Sequence, residues 1–240
     1  MSSSSASLPA DPLVLLSQQA AVWRASQLAE PCARTLPTGF AALDAELPGG
    51  GWPAGALIEL LCDHPGTGEI SLLLPLMRRT PENRWLAWIA PPLPPYGPAL
   101  AAAGLPLTRL LLIQPGSAAE ILWATRQAVA SAACTAVLCW PWQVNGAALR
   151  RLQLSAESGS TPLFLLRPQA AAQQPSPAPL RIALSADTAR LRIDILKRRG
   201  PPAAAPLFVP LHSGAGLPVA ATVAAAGAAA TVTPLRPRTR

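Results

Sequence analysis

Lysine is nearly absent from this chain of 240 residues, because only Lys197 of its 19 basic residues is a lysine. Charged residues make up 13% of the sequence, against a usual share of about 25%. Mechanisms that need a lysine at one fixed place therefore have a single residue to draw on. Half of the chain is apolar, which excludes an intrinsically disordered protein and predicts a folded domain with a buried core.

Histidine is also scarce, and neither His64 nor His212 has an acidic or cysteine partner at ligand spacing. The sequence therefore predicts no metal site, no cofactor and no Ser/His/Asp or Cys/His catalytic set. The cysteines form no CxxC pair, which favours reduced, buried thiols in the cytoplasm. They are Cys32, Cys62, Cys134 and Cys139.

Long apolar runs are missing too. No stretch of about 18 apolar residues occurs, so a membrane span is not expected. The first residues, MSSSSASLPADP, lack a basic segment followed by an apolar core and do not resemble a signal peptide. These observations predict a cytoplasmic protein without membrane contact, and association with the nucleoid stays open.

The positive charge is concentrated at one end. The net charge is +7, and residues 181–240 carry nine basic residues and two acids, which accounts for all of it. A basic stretch can contact nucleic acid phosphates or an acidic protein face, and the alternative is a solvated strand edge. The candidates for DNA contact are Arg192, Lys197, Arg198 and Arg199.

Short apolar runs alternate with helical stretches between residues 34 and 199, which predicts an α/β domain with a mainly parallel sheet flanked by helices. Two late strands, Leu180–Leu184 and Leu191–Leu196, add an antiparallel extension. Pro75 is expected to interrupt a helix over Glu69–Arg79. Residues 200–240 are rich in Pro and Ala and are expected to form a mostly disordered tail after one last strand, Leu207–Val209.

Residues 1–33 are expected to hold a flexible start and an amphipathic helix over 12–30. Most of the seven tryptophans are expected in the core, but Trp23 lies on this helix beside Arg24. Trp and Arg are enriched at interface hot spots, so the helix is a candidate docking element. Its partner-binding residues would be Val22, Trp23, Arg24 and Leu28, and the alternative is packing on the domain itself.

The most specific stretch is Pro37–Leu61, PTGFAALDAELPGGGWPAGALIELL, with TG-x-x-x-LD, then GGG-x-P-x-G, then an apolar strand. The chain resembles the RecA superfamily here, where such a stretch leads into the ATP-binding strand and loop. A phosphate-binding loop of the form G-x-x-x-x-G-K-[ST] should follow. Asp63 stands at the first glycine, Glu69 at the lysine and Ile70 at the hydroxyl residue, and only Gly68 matches; Gly66 lies inside the loop.

The other parts of an ATPase are missing as well. The strand that should end in a magnesium-binding Asp ends in Cys139 and Trp140, and the strand that a catalytic Glu should follow runs into Ala90-Pro91-Pro92. Glu69 would repel a γ-phosphate that a lysine attracts. The sequence therefore predicts a protein that is not an enzyme.

With AVWRASQLA at 21–29 and RRLQLSAE at 150–157, the chain resembles the ImuA family, degenerate RecA-like proteins of translesion DNA synthesis. This resemblance implies an SOS-induced accessory protein that binds the Y-family-like ImuB, with RecA, an error-prone C-family polymerase or DNA as further partners. The related SulA-type division inhibitors, which bind the division protein FtsZ, are the alternative. A DNA-dependent ATPase of the recombinase type is the third reading.

Overall fold

The computed structural model describes residues 34–141, 143–188, 190–203 and 205–210. A two-stranded antiparallel ribbon comes first, formed by β1 (Thr35–Leu36) and β2 (Trp52–Pro53). The main sheet has eight strands. They are β3 (Leu57–Cys62), β4 (Trp85–Ile89), β5 (Leu110–Ile113), β6 (Cys134–Cys139), β7 (Leu163–Pro168), β8 (Leu180–Asp187), β9 (Arg190–Lys197) and β10 (Leu207–Pro210).

The strand order of the main sheet is β10-β9-β8-β3-β7-β6-β4-β5. Neighbours from β8 to β5 pair in parallel, whereas β9 and β10 extend the sheet in antiparallel fashion. The parallel strands are continuous apolar runs because helices cover both of their faces. The free edges are β5 at one end and β10 at the other.

Five α-helices connect the strands within the described ranges, together with two short 3-10 helices, Leu107–Arg109 and Gln169–Gln173. The α-helices are α1 (Ala41–Glu46), α2 (Glu69–Arg78), α3 (Gly97–Ala102), α4 (Ala118–Ala130) and α5 (Gly146–Gly159). Side-chain caps begin the two longest helices: Ser117 Oγ accepts from the Glu120 amide, and Asn145 Oδ1 accepts from the Ala148 amide.

The core has two halves, one on each face of the main sheet. Alternate residues of β3 divide between them, with Ile58 and Leu60 on one side and Leu57 on the other. α1 and α2 pack on the Ile58 side, and α4 and α5 cover the other side.

Helix α2 runs without interruption through Pro75, so the prediction of a break there is wrong. A proline inside a helix costs about 3 kcal/mol. Burial of the apolar face, which includes Leu72, Leu73 and Met77, offsets that cost because each such side chain contributes about 1.5–3 kcal/mol. Pro75 also packs tightly on the turn before α1, since a Cβ on Gly39 would lie 2.3 Å from Pro75 Cβ.

The expected mixed α/β architecture, a large sheet flanked by helices, is confirmed. β8 and β9 form the expected antiparallel hairpin, and β10 is the expected last strand. The predicted N-terminal helix and most of the predicted tail lie outside the described residues. Within the described ranges, every helix is too short or too polar to span a bilayer.

Candidate functional site

The loop between β3 and α2 is the place where a phosphate-binding loop would lie. Glu69 begins α2, and its carboxylate folds back onto that loop. Oε1 accepts a hydrogen bond from the Gly66 amide at 2.8 Å, and Oε2 accepts one from the Gly68 amide at 3.0 Å. In phosphate-binding loops such amides hold the ligand's oxygens. In this chain the buried carboxylate of Glu69 already accepts hydrogen bonds from two of these amides.

The other residues predicted for this degenerate loop are all nearby. Asp63 is exposed at its start, and Gly66 and Gly68 both adopt positive φ, 89° and 126°, which lets their amides converge on one point. Ile70 follows Glu69 in the helix and packs on the core. The structure thus brings the predicted loop residues together, around an internal carboxylate.

A second buried carboxylate, Glu59, lies in the middle of β3. Its Oε1 accepts a hydrogen bond from Arg167 Nη1 at 2.6 Å, and its Oε2 accepts one from Arg181 Nε. Arg181 also donates to the carbonyls of Ala171 and Ala172. These partners are far away in the chain, and they come close to Glu59 because β7 and β8 flank β3. The signal in the sequence was one arginine in each of these apolar strands.

The cysteine thiols that the structure describes are buried, as predicted. Burial raises the pKa of Cys139 to about 12, against a hydrogen bond with Thr125 that lowers it. Burial, together with the charges of Glu69 and Asp63, raises the pKa of Cys62 to about 12. Both thiols are therefore protonated at neutral pH and are not nucleophiles. No cluster of metal-ligating side chains occurs in the described ranges.

The residues predicted to contact DNA lie on and after β9, and several already have partners in the chain. Arg192 pairs with Asp194 at 2.9 Å, and Lys197 Nζ donates to the Ser176 carbonyl at 2.9 Å. Arg198 donates to the side chain of Glu46 at 2.7 Å and to the Pro201 carbonyl at 2.7 Å. Arg199 is exposed. DNA contact through these residues stays a prediction.

A group of large apolar side chains is exposed between β4 and the end of β5; we name it the contact surface. Leu93 is 68% exposed and Tyr96 is 71% exposed, both in the segment that leads from β4 to α3. Leu107 lies beside Gly97, since a Cβ on that glycine would meet Leu107 Cδ1 at 3.8 Å. The remaining members, Leu111 and Leu112, are on the edge strand β5, where Leu112 lies on the Trp88 side of the sheet and Leu111 on the Ala87 side.

Five of the nine large apolar side chains that are exposed in the described ranges belong to the contact surface. One of its edges is β5, which has no further strand beside it in the described part of the chain and so offers backbone donors and acceptors. Exposed apolar side chains next to an edge strand are typical of protein contacts. Sequence reasoning missed the surface, although PPLPPYG and LLLI were visible signals.

Trp123 contradicts the expectation that the tryptophans belong to the core. Helix α4 buries Ile121, Thr125 and Val129, and Trp123 projects from the opposite side, where it is 61% exposed. Trp52 and Trp88 are buried, as expected. The proposed docking residues Val22, Trp23, Arg24 and Leu28 lie outside the described residues.

Comparison with known proteins points to one family. A family model described as cell division inhibitor SulA matches residues 56–162. A cell division inhibitor SulA of Pectobacterium atrosepticum is 31% identical over 119 residues, which are 49% of this chain and 71% of the relative. Another, of Photorhabdus laumondii, is 33% identical over 111 residues, 46% of this chain and 63% of that relative, so this chain spans less than two thirds of it. The crystal structure of SulA from Pseudomonas aeruginosa has 29% sequence identity and a TM-score of 0.40, and the alignment covers 48% of this chain and 98% of that one.

These matches correct the main functional prediction. The relatives are named for cell-division inhibition, so the translesion role, and with it ImuB and the polymerase as partners, is wrong. The ImuA and RecA relationships find no support in them. Most of Pro37–Leu61, on which that resemblance depended, precedes the matched region, which begins at residue 56.

The family model covers some of the candidate sites and leaves others out. It includes the loop at Glu69 and the whole contact surface, and it ends before β8, β9 and the basic residues. With 31% identity across 71% of a relative's length, and a family model over the same part of the domain, this chain belongs to the SulA family of cell-division inhibitors.

Proposed function

We propose that this protein is an SOS-induced cell-division inhibitor that binds FtsZ in the cytoplasm and blocks its assembly. Membership of the SulA family carries the proposal. The chain covers part of its relatives, and the matched part holds the two central features of the domain, the parallel strands β3–β6 and helices α2–α5.

The contact surface is the FtsZ-binding site in this proposal. It lies within the matched region and gathers most of the large exposed apolar side chains. Tyr96, its most exposed member, has an apolar ring and a polar hydroxyl, a combination that is enriched at hot spots of protein interfaces. Arg109 stacks over the Trp85 ring at 5.4 Å, which adds a cation held in place at the start of β5.

We propose further that the protein acts by binding alone. The loop amides at Gly66 and Gly68 are engaged by Glu69, and the cysteine thiols of the described chain are buried and protonated. A phosphate would have to displace a buried carboxylate and then sit beside it. Titration with a fluorescent ATP analogue should therefore show no binding, and micromolar affinity that disappears in Glu69→Ala would contradict this part of the proposal.

Assembly of FtsZ tests the function directly. FtsZ from the same organism is polymerised with GTP and sedimented, with increasing amounts of the full chain. We expect the wild type to reduce the sedimented fraction and Tyr96→Ala to need at least about tenfold more protein for the same effect. Leu154→Ala is the matched control, because Leu154 is also a large exposed apolar residue but lies on α5.

The FtsZ assembly assay tests the function and the binding site separately. Loss of inhibition in Tyr96→Ala with inhibition kept in Leu154→Ala supports both the function and the site. Equal inhibition by all three proteins would retain the function and reject the contact surface. A wild type that neither binds FtsZ nor reduces its sedimentation would reject the function.

A further inference from the structure

A groove between α4 and α5 lies apart from the contact surface. It has a volume of about 240 Å³. Leu122, Trp123 and Arg126 line it from α4, and Arg151 and Leu152 line it from α5, with two alanines in addition. On α4 these positions follow the spacing i, i+1, i+4, so one stripe of the helix faces the groove.

Trp123 is the large apolar side chain of the groove that is open to solvent. Trp123 is 61% exposed although it is the largest side chain of α4. The helix already has its buried face, formed by Ile121, Thr125 and Val129, so packing of the domain does not account for the tryptophan. A solvated tryptophan next to a groove is typical of an interface hot spot.

The charge around the groove is positive. Arg126 and Arg151 are exposed, and neither forms an ion pair within the ranges that the structure describes. The two acidic residues of these helices bond elsewhere: Glu120 Oε2 accepts from the Gly116 amide at 2.9 Å, and Glu157 Oε1 accepts from Gln153 Nε2 at 2.7 Å. The groove therefore presents two cations beside an apolar floor.

We propose that this groove binds an acidic amphipathic helix of a partner protein other than the one held by the contact surface. Such a helix would place apolar residues against Leu122 and Trp123, above the buried Leu152, and carboxylates against Arg126 and Arg151. Charge complementarity selects this occupant. A second copy of the chain would bring two more arginines to the groove, and charge repulsion opposes that arrangement.

The termini of the chain itself are poor occupants by the same measure. Residues 211–240 contain three arginines and no acid, so they would be repelled. Residues 1–33 contain Asp11, Glu30 and Arg24, a net charge of only −1. Neither of these segments supplies the acidic helix that the two arginines favour.

A pair of synthetic peptides tests the proposal on the full chain. The first is a fluorescein-labelled helix of about 15 residues, with leucines on one stripe and glutamates beside it. The second is identical except that every glutamate is a lysine. Fluorescence anisotropy measures the affinity of each for the wild type, Trp123→Ala, the double variant Arg126→Glu/Arg151→Glu, and Arg79→Glu, which changes an exposed arginine outside the groove.

We expect the acidic peptide to bind the wild type and Arg79→Glu equally, and the lysine peptide to bind at least about tenfold more weakly. Trp123→Ala should lower the affinity for the acidic peptide at least about tenfold, and the double variant should reverse the preference between the peptides. Inhibition of FtsZ should be unchanged in both groove variants, and their thermal unfolding should match the wild type.

Three results would overturn the proposal. They are no binding of the acidic peptide to the wild type, equal binding of the two peptides, and unchanged affinity in Trp123→Ala. Loss of FtsZ inhibition in the groove variants, with folding intact, would show instead that the groove is part of the FtsZ-binding site. That result would reject a separate partner. None of these outcomes bears on whether the wild type inhibits FtsZ.

Discussion

The contact surface and the basic residues of Arg190–Arg199 both lie at the surface of the domain, but they differ in how many bonds their side chains already form within the chain. On the contact surface, Leu93 and Tyr96 are more than two-thirds exposed. In the basic stretch, Arg192 is paired with Asp194 and Arg198 with Glu46. The contact surface has exposed apolar side chains that a partner can cover. Several cations of the basic stretch already form ion pairs within the chain.

This difference shows why a count of charges does not tell which cations are free to bind a partner. The net charge of +7 draws attention to residues 181–240, because all of the excess lies there. Hydrogen bonds and ion pairs within the chain then reduce what is free to bind DNA. The exposed leucines of the contact surface carry no charge and are conspicuous only once the fold places them on the outside.

Leu112→Arg should have the largest effect, on binding to FtsZ. A charge within an apolar contact should weaken that binding by roughly a hundredfold. Leu196→Arg is a matched control, since Leu112 and Leu196 are both 47% exposed and both lie in strands. Surface plasmon resonance with immobilised FtsZ measures both. An equal loss of FtsZ binding in the two variants would mean that the contact surface is no more important for binding than the basic stretch.

Arg198→Ala should act on stability and not on FtsZ. Its largely buried guanidinium bonds to Glu46 and to two carbonyl oxygens that follow β9. Loss of these charge-assisted bonds should lower the free energy of unfolding by about 1–3 kcal/mol. Urea unfolding followed by tryptophan fluorescence measures the change, with Arg199→Ala as the control. An unchanged midpoint would mean that the side chain is free, and the contrast between the regions would weaken.

DNA binding, if the basic stretch supports it, should depend on Arg199 more than on Arg198. Arg199 is exposed, whereas the guanidinium of Arg198 is engaged. Arg199→Ala should lower the slope of log affinity against log salt by about one. Anisotropy with a labelled duplex at several salt concentrations gives the slope. A larger change in Arg198→Ala would show that its internal bonds open on binding.

Arg192→Ala should have the smallest effect. Its ion pair with Asp194 is exposed on both sides, and exposed pairs contribute little because water and salt screen them. We expect no measurable shift in the melting temperature and no change in FtsZ inhibition. A clear drop in melting temperature by calorimetry would indicate that this pair holds β9 in place.

The architecture could be predicted from the sequence because buried parallel strands are continuous apolar runs, as in Ala136–Leu138 and Leu163–Leu166. The continuity of helix α2 through Pro75 could not be predicted, because helix propensity does not include the free energy gained when the rest of the helix is buried. The pairing of Glu59 with Arg181 was out of reach for a different reason, since 122 residues separate them.

The candidate sites were less predictable than the fold. The loss of a phosphate-binding lysine was readable from Glu69, but the capture of the loop amides by its carboxylate depends on backbone geometry. Trp123 was misplaced because its apolar neighbours fit a helix face, and only packing shows which face is buried. The family resemblance failed where a motif outside the matched region was given most weight.

The carboxylate of Glu59 also fixes the register of three neighbouring strands. It lies on β3 between Arg167 of β7 and Arg181 of β8, and the charges meet only when all three strands are correctly aligned. Sliding β3 by one residue would turn the carboxylate towards Ile58's side of the sheet, among apolar side chains, and would leave two guanidinium groups buried without their anion. A chain of mostly interchangeable leucines and alanines thereby gains one position that distinguishes the native alignment from its neighbours.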